Sequence, residues 1–285
     1  MITSNIRVLF QDIDGCLNPG TGEDFGASPD WHPSPAQIEM LETIDAAIEA
    51  SPIQHFVFNT GRPWSLVHYL AEHIRSPKLR YFLLEHACVL YDRATDCYLN
   101  CAEIAKTNGL HALAGRYEKL DHLDVVFEWY RKRGRAELEN LYKAEFPPLD
   151  KVGNLSFEIP KGVEGDALLA QVETIVKAQL PAETVKFLDF LRSDRYIDIL
   201  PGIHKLDGIY LLTAHLGIEL TGALAMGDYL NDLQIFETFP RVLCPANSHE
   251  KIRALTRSKR EFGHLSAFSY GEALLDFLKM LEPNT

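Results

Sequence analysis

The amino-acid sequence predicts an α/β fold, with a parallel-sheet core and an α+β domain inserted into it. Short apolar strands alternate with amphipathic helices at the start of the chain, the middle departs from that alternation, and the last third resumes it. Strand–helix–strand order is typical of parallel sheets, because parallel neighbours need a crossover connection. We therefore expect a discontinuous core at residues 1–87 and 196–285, and an inserted domain at residues 88–195.

The first elements carry clear local signals. Residues 6–11 are apolar and partly β-branched, which favours a buried strand. A Gly- and Pro-rich stretch at residues 15–33 predicts a loop. Ser34 before Pro35 is typical of a helix N-terminus, and apolar residues at helical spacing extend that helix to Ala50. The remaining elements of this segment are a strand at 56–58, a helix at 64–74 and a strand at 81–84.

The middle segment mixes strand and helix patterns. It begins with a hairpin pattern at 87–99 and a charge-rich helical stretch at 110–145, which two prolines end. It continues with a strand at 155–159, a helix at 168–176 and a strand pair at 185–191 and 196–200. From Leu206 the alternation returns, with a helix to Gly217, a strand at 223–226, a helix at 230–236, a strand at 242–244 and a last helix at 273–281.

Composition and charge exclude several classes of protein. The chain has 285 residues, 46% of them hydrophobic and 24% charged, a balance typical of globular proteins. Its net charge of −12 argues against nucleic-acid binding and against docking on anionic membranes. No apolar run approaches the ~20 residues of a spanning helix and no secretory signal is recognisable, so we expect a cytoplasmic protein. Five cysteines without a Cys-x-x-Cys motif favour reduced thiols.

Residues that can carry chemistry follow the first predicted strand. Asp12-Ile13-Asp14-Gly15 places two carboxylates at its carboxyl end, on one side of the chain because their spacing is i, i+2. Ligands of open parallel sheets bind beyond the carboxyl ends of the strands, and Gly15 lets the chain turn at once. An Asp-x-Asp-Gly stretch is also common in ordinary turns, so its meaning depends on what the neighbouring strand ends offer.

Three further stretches lie where the predicted sheet places a strand end or an adjoining helix start. Thr60 closes the second strand and offers a hydroxyl, and Lys205 precedes a helix and offers a cation. Gly227-Asp228-Tyr229-Leu230-Asn231-Asp232 closes another strand with two more carboxylates. Carboxylates gathered at one edge repel one another unless a cation lies among them, and Mg²⁺ prefers oxygen ligands of this kind.

Together the four stretches resemble the motifs of the haloacid dehalogenase-like hydrolase superfamily, in the order of that family. Thr60-Gly61-Arg62 and the 227–232 stretch look most like the Cof-type and sucrose-phosphatase-like branch, and Pro245-Ala246-Asn247 is similar to a stretch that follows the fourth motif. The resemblance covers most of the chain. It implies a Rossmann-like parallel sheet core, and the place of the insertion implies a type C2 cap.

The resemblance also implies roles for individual residues. Asp12 would be the nucleophile that forms an aspartyl-phosphate, and Asp14 the acid that protonates the leaving alcohol and then the base that activates water. Thr60 and Lys205 would offset the charge on the phosphoryl oxygens. The implied substrate-binding residues are Thr60, Gly61, Arg62 and Lys205. The implied Mg²⁺ ligands are Asp12, the backbone carbonyl of Asp14, and Asp228, while Asn231 and Asp232 would orient that site or hold Lys205.

Two stretches depart from the family pattern. Cys16 and Asn18 stand where threonine and an apolar residue are common, and a reactive thiol at Cys16 is an alternative to a small-residue replacement. Glu85-His86-Ala87 stands where Asn-Gly-Ala is frequent. A zinc site made by His86 with Cys97 and Cys101 lacks a second ligand pair.

The sequence thus predicts a Mg²⁺-dependent phosphatase of a small phosphorylated metabolite, with a sugar phosphate as the favoured class. A phosphosugar mutase of the same superfamily is the alternative, and a non-catalytic phosphometabolite sensor is a distant one. The identity of the substrate, the cap residues that select it and homo-oligomerisation are left open.

Overall fold

The computed structural model describes residues 6–18, 32–193, 195–259 and 261–281. The chain divides into two compact units, one made of residues 1–100 and 205–285 and the other of residues 101–204. Most of the loop predicted at residues 15–33 lies outside the described residues. No helix in the described part of the chain combines the length and apolar character that crossing a membrane requires.

Strands and helices alternate over much of the described chain. The strands are β1 (Val8–Gln11), β2 (His55–Asn59), β3 (Leu79–Leu84), β4 (Val89–Asp92), β5 (Cys97–Leu99), β6 (Leu155–Glu158), β7 (Asp189–Arg192), β8 (Tyr196–Leu200), β9 (Ala223–Met226), β10 (Arg241–Cys244) and β11 (Phe262–Leu265). The helices are α1 (Pro35–Ala50), α2 (His68–His73), α3 (Cys101–Thr107), α4 (His111–Tyr117), α5 (His122–Trp129), α6 (Arg135–Tyr142), α7 (Gly165–Gln179), α8 (Ala182–Val185), α9 (Lys205–Leu216), α10 (Leu233–Thr238), α11 (Glu250–Ser258) and α12 (Tyr270–Leu281).

The first unit is built on one eight-stranded sheet in the order β11-β10-β9-β1-β2-β3-β4-β5. Its strands run parallel from β11 to β3, and β4 and β5 are added antiparallel at one edge. Gln11, the last residue of β1, lies opposite Phe58 of β2 and Met226 of β9. The residues that follow these three strands therefore emerge side by side, and the predicted α/β class with a parallel, Rossmann-like sheet is confirmed.

Helix α1 shows how the local sequence produces this core. Ser34 accepts a hydrogen bond from the Gln37 backbone N–H while the Gln37 side chain caps the Ser34 N–H, a reciprocal capping box. Leu41, Ile44 and Ile48 then recur on one face and are buried in the main apolar cluster together with residues of α12. Burying each such side chain contributes about 1.5–3 kcal/mol. The predicted bounds of this helix are those observed.

The second unit has its own core around a three-stranded antiparallel sheet in the order β6-β8-β7. Tyr130 stacks on Phe157 with ring centroids 5.4 Å apart, and the Tyr130 hydroxyl donates to the backbone carbonyl of Phe146 at 2.7 Å. Helices α5 and α7 contribute further apolar residues to this cluster.

The unit boundaries fall later in the chain than the predicted positions 88 and 195. At the first boundary, β4 and β5 pair with β3 and so extend the sheet of the first unit to residue 99. At the second boundary, β8 pairs with β6 and β7, which keeps residues 196–200 in the second unit.

Other local predictions differ from the structure. The helix predicted over 110–145 is divided into α4, α5 and α6, with a wide turn at Tyr130–Gly134 between the last two. Gly134 lies against the ring of Trp129, where an added Cβ would approach a ring carbon to 2.7 Å. The strand predicted at 185–191 is the end of α8 followed by β7. Helix α11 and strand β11 were not predicted.

Candidate active site

The candidate site lies at the carboxyl ends of β1, β2 and β9. Asp12 follows β1 directly, and its backbone N–H donates to the carbonyl of Met226, the last residue of β9, at 3.2 Å. Thr60 follows β2, and Asp228 follows β9 after one glycine. Parallel pairing in this register therefore brings together residues that lie far apart in the sequence.

Lys205 forms the charged centre of the site. It is the first residue of α9, and its Nζ lies 2.7 Å from Asp12 Oδ2 and 2.8 Å from Asp232 Oδ1. All three side chains are buried. The second oxygen of Asp12 accepts the backbone N–H of Ile13 at 2.8 Å, so both oxygens of this carboxylate are oriented. Holding Lys205 is one of the two roles that the resemblance implies for Asp232, and this contact corresponds to it.

Asp228 approaches the turn after β1. The turn needs glycine at Gly15, because its φ is +74° and because an added Cβ would lie 1.9 Å from Asp228 Oδ2. Cys16 Sγ lies 3.7 Å from Asp228 Oδ1. On the other side, Asn247 donates its amide to the Gly15 carbonyl at 2.7 Å, so the Pro245–Asn247 stretch supports this turn.

The electrostatics of the site favour a bound cation. Burial, and then the charges of Asp232 and Asp228, raise the pKa of Asp12 well above its ordinary value despite the opposing effect of Lys205. Burial and the charge of Asp232 raise the pKa of Asp228 to about 8. Burial lowers the pKa of Lys205, but the two carboxylates outweigh it and the pKa lies above its usual range. The carboxylates outnumber the one ammonium, and an added cation would stabilise their ionised forms.

The donor atoms present fit a hard divalent cation. Possible ligand atoms of Asp12, Cys16 and Asp228 lie within 4.8 Å of one another, and all three residues are buried. Burial raises the pKa of the Cys16 thiol, so it stays protonated and is a poor ligand for a hard ion, which leaves the carboxylates. Asn231 Oδ1 is also buried and accepts no hydrogen bond from the described residues. A reactive thiol at Cys16 is not favoured by this environment.

The side chains of Asp14 and Arg62 form an ion pair. Arg62 Nε donates to Asp14 Oδ2 at 2.8 Å and Arg62 Nη2 donates to Asp14 Oδ1 at 2.6 Å. The Asp14 side chain is 41% exposed and that of Arg62 is 13% exposed. The structure thus places Arg62 on the predicted acid–base residue, in a bidentate geometry that fixes the carboxylate plane.

The Thr60-Gly61-Arg62 segment holds its own shape. Thr60 is fully buried, and its hydroxyl oxygen accepts the backbone N–H of Arg62 at 3.2 Å. The Thr60 N–H donates to the carbonyl of Leu83 in β3 at 2.9 Å. Gly61 lies against the imidazole of His86. The segment is therefore tied to the neighbouring strand as well as to the Asp14 carboxylate.

Two residues of the site went unpredicted. The Asn59 amide donates to the Lys205 carbonyl at 3.0 Å, which ties the end of β2 to the start of α9. A buried asparagine at the end of an apolar strand is a signal that could have identified it. At the end of β1, the Gln11 side-chain amide donates to the backbone carbonyl of the next residue, Asp12, at 2.7 Å.

The sequence matches a known family. Residues 158–258 match the haloacid dehalogenase-like hydrolase family, a stretch that takes in Lys205 and Asp228 but not Asp12 or Thr60. None of the curated proteins compared with the chain matches it.

Solved structures share the fold over nearly the whole chain. A Thermoplasma acidophilum protein has a TM-score of 0.61 at 17% identity, covering 97% of this chain and 98% of that chain. A haloacid dehalogenase-like hydrolase from Bacteroides thetaiotaomicron has a TM-score of 0.60 at 14% identity, covering 96% and 99%. The sucrose-phosphatase from Synechocystis, solved in complex with sucrose and phosphate, has a TM-score of 0.59 at 16% identity, covering 98% and 99%. At these identities the likeness concerns the fold.

Proposed function

We propose that the chain is a haloacid dehalogenase-like hydrolase, and more closely a Mg²⁺-dependent phosphatase of a small phosphorylated metabolite. The match of residues 158–258 to that family, the four motifs and the fold support this proposal. The observation that carries the proposal is a buried ion pair between Asp12 and Lys205 with the Asp228 carboxylate next to Asp12. A nucleophilic carboxylate, a fixed cation and a second carboxylate at one sheet edge are what an attack on a phosphate ester needs.

The first chemical step uses Asp12 and Asp14. An Asp12 carboxylate oxygen attacks the phosphorus, and the bond from phosphorus to the ester oxygen breaks. Asp14 gives its proton to the departing alkoxide, which leaves as an alcohol. Lys205 and the Thr60 hydroxyl offset the negative charge that develops on the phosphoryl oxygens.

The second step reverses the role of Asp14. Its carboxylate now removes a proton from water, the water oxygen attacks the phosphorus, and the bond from phosphorus to Asp12 breaks. Inorganic phosphate is released and Asp12 is restored. When bound by Asp12, Asp228 and the Asp14 carbonyl, Mg²⁺ supplies the positive charge that lets a carboxylate approach an anionic phosphate.

A sugar phosphate is the substrate class we propose. One of the structural neighbours is a sucrose-phosphatase with sucrose and phosphate bound, and this chain shares its fold over both units. The proposed selectivity resides in the second unit, because the proposed reacting residues Asp12, Asp14, Lys205 and Asp228 all belong to the first.

The test is phosphate release from a panel of sugar phosphates and from p-nitrophenyl phosphate, with Mg²⁺ and after chelation by EDTA. We expect release that requires Mg²⁺ and that Asp12→Asn removes. Turnover that starts only with a sugar bisphosphate and moves the phosphoryl group between sugar positions, without net phosphate release, would favour a mutase. Binding of sugar phosphates without any turnover would favour a sensor.

A further inference from the structure

The segment Glu85–Ala87, which we call the left-handed turn, has an unusual backbone. Glu85, His86 and Ala87 have φ values of +51°, +58° and +71°, and none of them is glycine. All three are buried, and they follow β3 at the same edge of the sheet as the candidate active site. Side-chain-bearing residues rarely adopt this conformation in succession, and they keep it only where surrounding contacts enforce it.

Backbone hydrogen bonds connect the left-handed turn to the Thr60-Gly61-Arg62 segment. The Glu85 N–H donates to the Arg62 carbonyl at 3.1 Å, and the His86 N–H donates to the Thr60 carbonyl at 3.0 Å. The two acceptors flank Gly61. The turn therefore bridges the whole segment that carries the proposed phosphate-binding side chains.

The His86 imidazole completes this contact. A Cβ added at Gly61 would lie 2.7 Å from His86 Nε2 and 2.9 Å from Cε1, closer than side-chain carbons approach other atoms. Gly61 has no positive φ that would itself require glycine. The ring of His86 thus occupies the space that a side chain at position 61 would need, and a larger residue there would have to displace it.

The left-handed turn also contacts α9, through Ala87. A Cβ added at Gly208 would lie 2.5 Å from Ala87 Cβ, so this helix packs directly on the turn within one helical turn of Lys205. The turn therefore contacts both the segment that carries Thr60, at Gly61, and the helix that begins at Lys205, at Gly208. This explains how a strained backbone persists.

We propose that His86 is a positioning residue of the active site. Its ring fixes the backbone at Gly61, and through it the position of Thr60 and the ion pair between Arg62 and Asp14. Glycine would adopt this backbone without strain, so histidine is useful at this position only for its ring. The inference rests on the proposed phosphatase activity for its kinetic part. Its structural part, the dependence of position 61 on His86, can be measured without any turnover.

The structural experiment compares Gly61→Ala, His86→Gly and the double variant by thermal unfolding. Because the added methyl group collides with the imidazole, Gly61→Ala should lower Tm by several degrees, about 4 °C or more, when His86 is present. In the His86→Gly background the same change should lower Tm by less than about 1 °C. Gly115→Ala in α4 is the matched control, because a Cβ there meets no atom within 4 Å, and it should not lower Tm.

The kinetic experiment uses p-nitrophenyl phosphate and phenyl phosphate, whose leaving group is more basic. His86→Gly should lower kcat about tenfold for phenyl phosphate and clearly less for p-nitrophenyl phosphate, because misplacing Arg62 disturbs proton transfer from Asp14. Gly61→Ala should lower kcat for phenyl phosphate by more than about tenfold, and the double variant should have the kcat of His86→Gly. If His86 had a merely structural role, the apparent kcat would fall equally for both substrates, because only the amount of folded enzyme would change.

The outcomes separate the two proposals. A wild-type protein inactive on every phosphate ester contradicts the proposed function, while the Tm comparison still decides whether His86 constrains position 61. An active wild type whose His86→Gly variant keeps kcat and its leaving-group dependence overturns the positioning role. Equal Tm losses for Gly61→Ala with and without His86 overturn the contact itself.

Discussion

Asp12 is oriented before any substrate arrives. One of its oxygens lies on the Lys205 ammonium and the other accepts a backbone N–H, so the carboxylate has little rotational freedom to lose on reaction. Such preorganisation favours nucleophilic attack from a fixed direction. Asparagine has the same shape and can keep one carbonyl oxygen toward Lys205, although its NH2 group cannot accept the Ile13 N–H.

We therefore expect Asp12→Asn to remove turnover while the protein stays folded. The amide cannot act as the nucleophile, so the rate with p-nitrophenyl phosphate should fall by at least about 10³-fold. Thermal unfolding and circular dichroism should show the wild-type fold. A variant that keeps a substantial fraction of wild-type turnover would contradict the covalent mechanism.

Arg62 and Asp14 should behave as one functional unit. Asp14→Asn should slow phenyl phosphate more than p-nitrophenyl phosphate, because the better leaving group needs less protonation. Arg62→Ala removes the two N–H donors that orient Asp14, so it should show the same leaving-group dependence. In the double variant the losses should not add, which a double-mutant cycle on kcat measures. Additive losses with a raised KM would instead assign Arg62 to direct phosphate binding.

Among the elements, the antiparallel strands β3 and β4 are joined by an ion pair. Arg80 of β3 donates two hydrogen bonds to the buried Asp92 carboxylate of β4, at 2.8 and 2.7 Å. The hydrogen bond from Arg80 lowers the pKa of Asp92. A carboxyl group with a lowered pKa in the folded state stabilises the fold above its ordinary pKa, and that contribution is lost as the pH falls through the lowered value.

The prediction at this scale concerns Arg80→Ala. At neutral pH it should lower Tm, because it leaves a buried carboxylate without its cation. As the pH falls through the lowered pKa of Asp92, the difference from the wild type should shrink toward zero, since protonated Asp92 no longer requires the cation. Thermal unfolding between pH 7 and acidic pH measures this. A Tm difference that stays constant with pH would mean that Arg80 acts through packing alone.

Elements were predictable from the sequence where one local signal dominates. Helix α1 has a cap and an apolar face. The short apolar strands β1 and β9 are followed by aspartates, so these residues of the site could be assigned to strand ends. The wide turn at Tyr130–Gly134 could not be predicted, because there the ring of Trp129 packs against Gly134, and such a contact is not visible in the sequence. The same holds for His86, whose role depends on an unusual backbone and on a neighbour more than twenty residues away. Asn59 could be singled out as a polar residue at the end of an apolar strand, but its partner, the Lys205 carbonyl, depends on where α9 begins.

At the scale of the whole molecule, each unit has its own apolar core. The main cluster of the first unit draws on residues between Ile6 and Tyr91 and between Leu224 and Leu281. The cluster of the second unit lies wholly between Leu123 and Ile199. Among the described residues, every side chain of the first cluster belongs to the first unit and every side chain of the second cluster to the second unit. We therefore expect the first unit to fold when the second is removed.

This separation leads to a prediction about the division of labour. We expect that deleting residues 101–204, with a short Gly/Ser bridge from Asn100 to Lys205, leaves a protein that unfolds cooperatively and still binds Mg²⁺ and inorganic phosphate. Hydrolysis of p-nitrophenyl phosphate should fall by no more than about tenfold, because the reacting residues are all retained. Turnover of the preferred sugar phosphate should fall by about 10²–10³-fold, because the deleted unit selects the leaving group and excludes water. The same deletion carrying Asp12→Asn controls for contaminating phosphatases. If a folded first unit loses both activities together, a residue essential to the chemistry lies between 101 and 204, and the assignment of catalysis to the first unit is wrong.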